Sequence, residues 1–271
     1  MQIAAFYTLS FTLACLAMLL WQLPEGFRIG DVAAMREAYQ RVGLVYGFTP
    51  ALAALIVVFA SEGGRGVREL LGRIVVLRLP VVWILVALAV PLLPQWLGAY
   101  LWAETFDEVV RFPIFTKWLS SFLMLAFING LFSVGEELGW RGFMLPRLLA
   151  RNGWLSAALL TGLLWSLWHF PLWGQSNYAL TGSLSHTMLV LLLATLTGVA
   201  LSVIITAIFL RTRQSLIPIM LLHGATNANM GLIYEGTSER ALTNIHLLAI
   251  NTSLFVLIAL LFVLCLRAAR D

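Results

Sequence analysis

Eight runs of mostly apolar residues, at roughly 3–23, 43–60, 80–99, 117–137, 155–173, 187–210, 215–233 and 246–267, constrain this chain more than any motif in it. A hydrocarbon core about 30 Å thick is crossed by about 20 residues of α-helix, so each run is read as one spanning helix. The second is short, and the fourth continues as helix past its apolar part. Composition agrees, with 61% of the 271 residues hydrophobic and 11% charged, against about 45–50% and 25% in soluble domains. The predicted fold is all-α: a polytopic membrane helical bundle of about eight transmembrane helices with an interior polar site, one integral membrane domain over 1–271.

The first run follows Met1 and Gln2 without a basic segment and ends at Gln22, Leu23 and Pro24 without a small-residue cleavage site, so it is expected to be retained as a helix. Alternate connections divide the basic residues. Arg65, Arg68, Arg73, Arg78, Arg147, Arg151, Arg211, Arg213, Arg267 and Arg270 fall on one side. Arg28, Arg36, Arg41, Arg111, Lys117 and Arg240 fall on the other, among the acids Glu25, Asp31, Glu37, Glu104, Asp107, Glu108, Glu235 and Glu239. By the positive-inside rule both termini are expected in the cytoplasm. With one Lys among 17 basic residues, the composition suits a GC-rich prokaryotic genome and a plasma-membrane location.

The net charge of +4 is thus a topology signal, and no basic stripe with exposed aromatics points to nucleic acid. In SEGGRGVRELLGRIVVLR, 61–78, apolar residues recur at helical spacing among four arginines. A short amphipathic helix at the interface, its arginines on anionic headgroups, is the expectation. Cys15 and Cys265 lie singly in apolar runs, with no CxxC spacing, and are read as small buried hydrophobes.

Against this background the segment GEELGWRG, 135–142, is conspicuous: three charges follow an uncharged run, 119–134. An ionisable group at the bilayer centre costs about 2.5–3.5 kcal/mol on insertion scales, which makes each a functional candidate. Glu137 and Arg141 are four apart and share a helical face in the order that favours an ion pair. Glu136 is rotated by about 100° from Glu137. One paired and one free carboxylate are therefore expected. His169 lies deep in the aromatic segment LLWSLWHFPLW, 163–173, where by itself a core histidine is the simpler account. His223 and Asn227 share a face in SLIPIMLLHGATNAN, 215–229, and alone suit interhelical hydrogen bonding, with Gly224 and Ala225 leaving room for a close approach. His186 and His246, near the starts of runs, are read as structural.

Together Glu136, His169, His223 and Asn227 supply what peptide hydrolysis needs. A carboxylate and a histidine can activate water, while a histidine and an amide can donate hydrogen bonds to an oxyanion.

Glu136-Glu137-Leu138-Gly139-Trp140-Arg141 matches an EExxxR pattern, Trp165 to His169 is similar to FxxxH with Trp in place of Phe, and His223 to Asn227 matches HxxxN. In this order on separate apolar helices, these motifs resemble the CPBP family of intramembrane proteases (Abi superfamily), which includes the type II CAAX prenyl endopeptidases. The resemblance covers about 115–230 well, the expected protease core.

It implies that Glu136 and His169 activate water, that His223 and Asn227 form the oxyanion hole, and that Glu137 and Arg141 support them. It also implies a membrane-tethered substrate, prenylated CAAX tails among the candidates, in a setting of membrane lipids. A His₂Glu zinc site of Glu136, His169 and His223 is the metal alternative. It would need a separate base, and HExxH is absent. Direct activation of water by glutamate, with no cofactor, is the expectation. The competing functions are a non-catalytic scaffold or bacteriocin self-immunity protein and a proton- or ion-coupled transporter, the latter disfavoured by the absence of inverted halves with matching polar helices.

Overall fold

The computed structural model describes residues 1–22, 32–76, 79–108, 114–235 and 244–268. Of the charges that bear on orientation, Arg28, Arg78, Arg111, Arg240 and Arg270, with Glu25, Asp31 and Glu239, lie outside the described residues, as does Leu77 of the amphipathic segment.

The chain forms α1 (Gln2–Gln22), α2 (Val32–Gly72), α3 (Val81–Ala89), α4 (Leu92–Phe106), α5 (Phe115–Glu137), α6 (Leu145–Leu149), α7 (Trp154–Thr181), α8 (Leu184–Arg211), α9 (Ile217–Glu235) and α10 (Ile245–Ala268). No strand occurs among the described residues. Hydrocarbon offers no water to backbone N–H and C=O groups, and a helix satisfies them within one segment.

Seven helical stretches among the described residues are long and apolar enough to cross a membrane: α1, α2, α3 with α4, α5 through α6, α7, α8 and α10. The chain is an integral membrane protein. The run expected at 215–233 does form a helix, α9, but falls outside that set. His223, Asn227 and Asn229 lower its apolarity, and α9 packs against α5, α3, α4 and α8.

Two expected spans change shape. The run at 80–99 divides at Val90 and Pro91, because a proline has no N–H for the helix ladder. The second run extends to a 41-residue helix with a non-helical residue at Gly63 (φ 65°, ψ −161°), a conformation open to glycine. Past Gly63, the amphipathic pattern is helical as expected. Leu70 is buried in the core, Arg65 and Glu69 point outward 3.9 Å apart, and a 3₁₀ turn, Arg73–Val75, follows.

The bundle is organised by pairs: α5 along α9, α7 along α8, α8 along α10 and α1 along α2. Small residues set the closest approach. A Cβ on Gly224 of α9 would lie 2.1 Å from the Ala126 carbonyl oxygen and 2.4 Å from the Gly130 nitrogen of α5. At one end of the bundle Arg147 ties three segments together. It donates to Gln2 of α1 at 2.9 Å and to Glu62 of α2, and its guanidinium lies 3.9 Å from the Phe143 ring. Cys15 and Cys265 are free, as expected, but neither is fully buried: Cys15 is partly exposed and Cys265 is exposed at the bundle surface, since α10 has an outward apolar face.

Candidate active site

The last turn of α5 carries Glu136 and Glu137, and the helix then widens into a π-helical turn, Leu138–Met144, before α6. Single π turns cluster at functional sites. All seven residues of this one are buried. Its backbone lies against α2, where a Cβ on Gly139 would come 2.6 Å from Pro50 Cβ, and one on Gly135 2.6 Å from the Gly47 carbonyl oxygen.

Glu137 and Arg141 are fully buried, and Arg141 Nη1 donates to both carboxylate oxygens at 3.1 Å. The expected pair therefore forms, and it extends further. His223 Nδ1 lies 2.7 Å from Glu137 Oε1. A carboxylate accepts, so Nδ1 carries the proton, and Nε2 is the ring nitrogen left to face elsewhere. Glu137 thus joins a buried chain of Arg141, Glu137 and His223 across α5, the π turn and α9.

Glu136 is not free, which corrects the expectation. The indole N–H of Trp165 donates to its Oε2 at 2.7 Å. Rotation away from Arg141 turned Glu136 toward α7, where a donor was waiting. Only tertiary packing brings α7 there.

His169 Nε2 stands 3.7 Å from the same Glu136 oxygen, while Nδ1 is 2.9 Å from the Trp165 carbonyl. That carbonyl can only accept, so Nδ1 is protonated and Nε2 presents a lone pair. Two acceptors beyond hydrogen-bond reach of one another suit a water that donates to either. An aromatic box holds the imidazole, stacked on Trp173 (4.2 Å, 18°) and edge-on to Trp168 (4.6 Å) and Trp165 (5.3 Å). Tyr46 of α2 donates to the Trp168 carbonyl and clamps this stretch of α7.

Glu136, His169, His223 and Asn227 all line a cavity of about 250 Å³ between α7, α8, α9 and α10. The same four border a second, of about 480 Å³, toward α2, beside Gly43 and Gly47. Asn227 is exposed at this junction, one helical turn from His223. The structure therefore brings all four candidates together from α5, α7 and α9. Glu137 and Arg141 lie directly behind, Arg141 packed 4.6 Å over the Trp165 ring. His186 and His246 are not among the lining residues of either cavity.

Sequence reasoning missed a set of amides beside this cavity. Gln95 of α4 donates to the Thr226 carbonyl at 3.1 Å and accepts from Asn229 at 2.7 Å, while Asn251 of α10 lines the same cavity. An amide within an apolar run is the signal that could have found them, since such groups seek partners on neighbouring helices.

Among the described residues no three His, Cys, Asp or Glu side chains are grouped to hold one metal ion. Glu136, His169 and His223 border the same cavities without forming such a group, and the neighbouring Glu137 is engaged by Arg141 and His223.

Residues 115–229 match the family model described as type II CAAX prenyl endopeptidase Rce1-like. A relative named CAAX prenyl protease 2, from Methanococcus maripaludis, is 32% identical over 114 residues, 42% of this chain and 42% of that protein. The match thus spans about two fifths of the relative's length.

Proposed function

We propose, on the match of residues 115–229 to the Rce1-like model of type II CAAX prenyl endopeptidases, that the chain is a CPBP-type intramembrane endopeptidase with this segment as its protease core. It hydrolyses a peptide bond near the C-terminus of membrane-tethered substrates, of which prenylated CAAX tails are the class argued from the relative's name. The convergence of Glu136, His169, His223 and Asn227 on one cavity within an apolar bundle carries this proposal.

In the proposed reaction a water held by Glu136 and His169 Nε2 attacks the scissile carbonyl carbon, and Glu136 takes its proton. Negative charge develops on the carbonyl oxygen. Asn227 donates to it from its amide, and His223 donates from Nε2 when both ring nitrogens are protonated, with Glu137 balancing the imidazolium charge. Collapse of the tetrahedral species breaks the C–N bond, and Glu136 returns the proton to the leaving amine. Arg141 holds Glu137 throughout.

No step uses a metal. The substrate enters from the Arg-rich side, which is cytoplasmic together with both termini in this proposal.

The test is cleavage of a fluorogenic farnesylated CAAX peptide by the full chain in liposomes. Removing the base by Glu136→Ala or Glu136→Gln should lower kcat by at least about a hundredfold, the lower end for a general base. In the same assay activity should persist after strong chelation. Activity lost on chelation and restored by zinc would replace the glutamate mechanism with a metal one. A folded wild-type protein that cleaves no such peptide would turn the proposal toward another membrane substrate or a binding role.

A further inference from the structure

Trp165 does more than fill the site. The residue is 7% exposed, and its indole N–H makes a 2.7 Å hydrogen bond to Glu136 Oε2, within the range of charge-assisted bonds. Its carbonyl accepts from His169 Nδ1 at 2.9 Å, so the same residue also sets which nitrogen of that imidazole is bare. One face of the ring carries the Arg141 guanidinium at 4.6 Å, and the ring lies near-perpendicular to His169 and His223 at 5.3 and 5.9 Å. Packing alone does not demand the hydrogen bond. Trp102, Trp140 and Trp168 are fully buried with no partner for their indole N–H.

We propose that Trp165 is the positioning residue for Glu136, its indole N–H holding Oε2 so that the carboxylate faces His169 Nε2 and the water between them. The inference rests on Glu136 being the water-activating base. The physical case is orientation. A carboxylate at the end of a Glu side chain rotates about two single bonds before its last, broad torsion. A base must lie within about 2.6–3.2 Å of the proton it takes. A single directed donor from the neighbouring helix removes much of that freedom, and it does so from α7, the helix that also carries His169. The two groups that hold the water are therefore registered to each other through one residue.

The experiment replaces Trp165 by β-(3-benzothienyl)alanine, which keeps the ring shape and exchanges the N–H for sulfur, with Trp165→Phe as the simpler variant. Both are studied as the full chain in liposomes, with wild type and Glu136→Gln in parallel. Loss of one charge-assisted hydrogen bond should lower kcat about tenfold with KM changed less than twofold. An unchanged kcat in the benzothienyl variant overturns the proposal, and so does a rise in KM alone, which would make Trp165 a wall of the substrate cavity.

A second readout is independent of catalysis. In protein carrying ¹⁵N-tryptophan, the indole resonance missing from Trp165→Phe should lie downfield and move upfield in Glu136→Gln. A resonance indifferent to Glu136 overturns the proposal even when no peptide is cleaved. Failure of cleavage with the resonance behaving as expected would instead remove the proposed function and leave the hydrogen bond standing.

Discussion

Arg141 carries its charge at 0% side-chain exposure, and only one of its nitrogens, Nη1, has a hydrogen-bond partner; Nε and Nη2 have none. An arrangement that costly is retained for what it holds, here the Glu137 carboxylate that in turn holds His223. Breaking a buried pair by removing one partner costs about 3–5 kcal/mol, because the remaining charge stays buried. Arg141→Ala should therefore lower the unfolding midpoint in mixed micelles and reduce cleavage together. A variant as stable as wild type would show that Glu137 and His223 stand without it. The motif residues themselves were legible in the sequence, because charge inside an apolar run is rare enough to draw attention. The Glu137–Arg141 pair was legible too, since four residues is close to one turn in the α-helix and in the π turn that replaces it. The bond from Trp165 to Glu136 was not: spacing within one helix says nothing about a donor on another.

At the scale of the element, the crossing of α5 and α9 decides whether Glu137 meets His223. Gly224 and Gly130 let the two backbones touch, and a Cβ at 224 would have to sit 2.1 Å from a carbonyl oxygen that cannot rotate away. Overpacking of this kind costs about 1–3 kcal/mol or more. Gly224→Ala should lose at least about tenfold in activity and lower the unfolding midpoint. Gly231→Ala, in the same helix with nothing within 4 Å, serves as the control and should behave as wild type. Equal behaviour of the two variants would mean that the α5–α9 contact does not govern the site. The sequence signalled room for an approach beside His223, yet which helix fills it is a fact of packing.

For the whole molecule, the proposed orientation puts the connection after α6 and both termini on the cytoplasmic side, with the connection between α7 and α8 opposite. In a chain with Cys15 and Cys265 replaced by alanine, Asn152→Cys should resist a membrane-impermeant maleimide added to intact cells, and Ser185→Cys should react. Both positions are exposed. The reverse labelling would invert the topology and move the substrate's entry to the other face.

Length and apolarity by themselves determined that this chain is a bundle of helices in a bilayer, because hydrocarbon leaves the backbone few other ways to satisfy its polar groups. They also marked the residues worth watching, because charge and amide there are expensive. They marked α9 as well, which forms as a helix where its run lies, although its polar residues leave it outside the seven most apolar stretches among the described residues and it lies against four neighbouring helices. Tertiary structure alone decided that Glu136 is held and not free, that Glu137 serves His223 as well as Arg141, and that an amide group on α4 and α10 borders the cavity. The reason is common to all three. Periodicity orders side chains around one helix axis, whereas each of these contacts joins two, and its partner is chosen by how the helices cross.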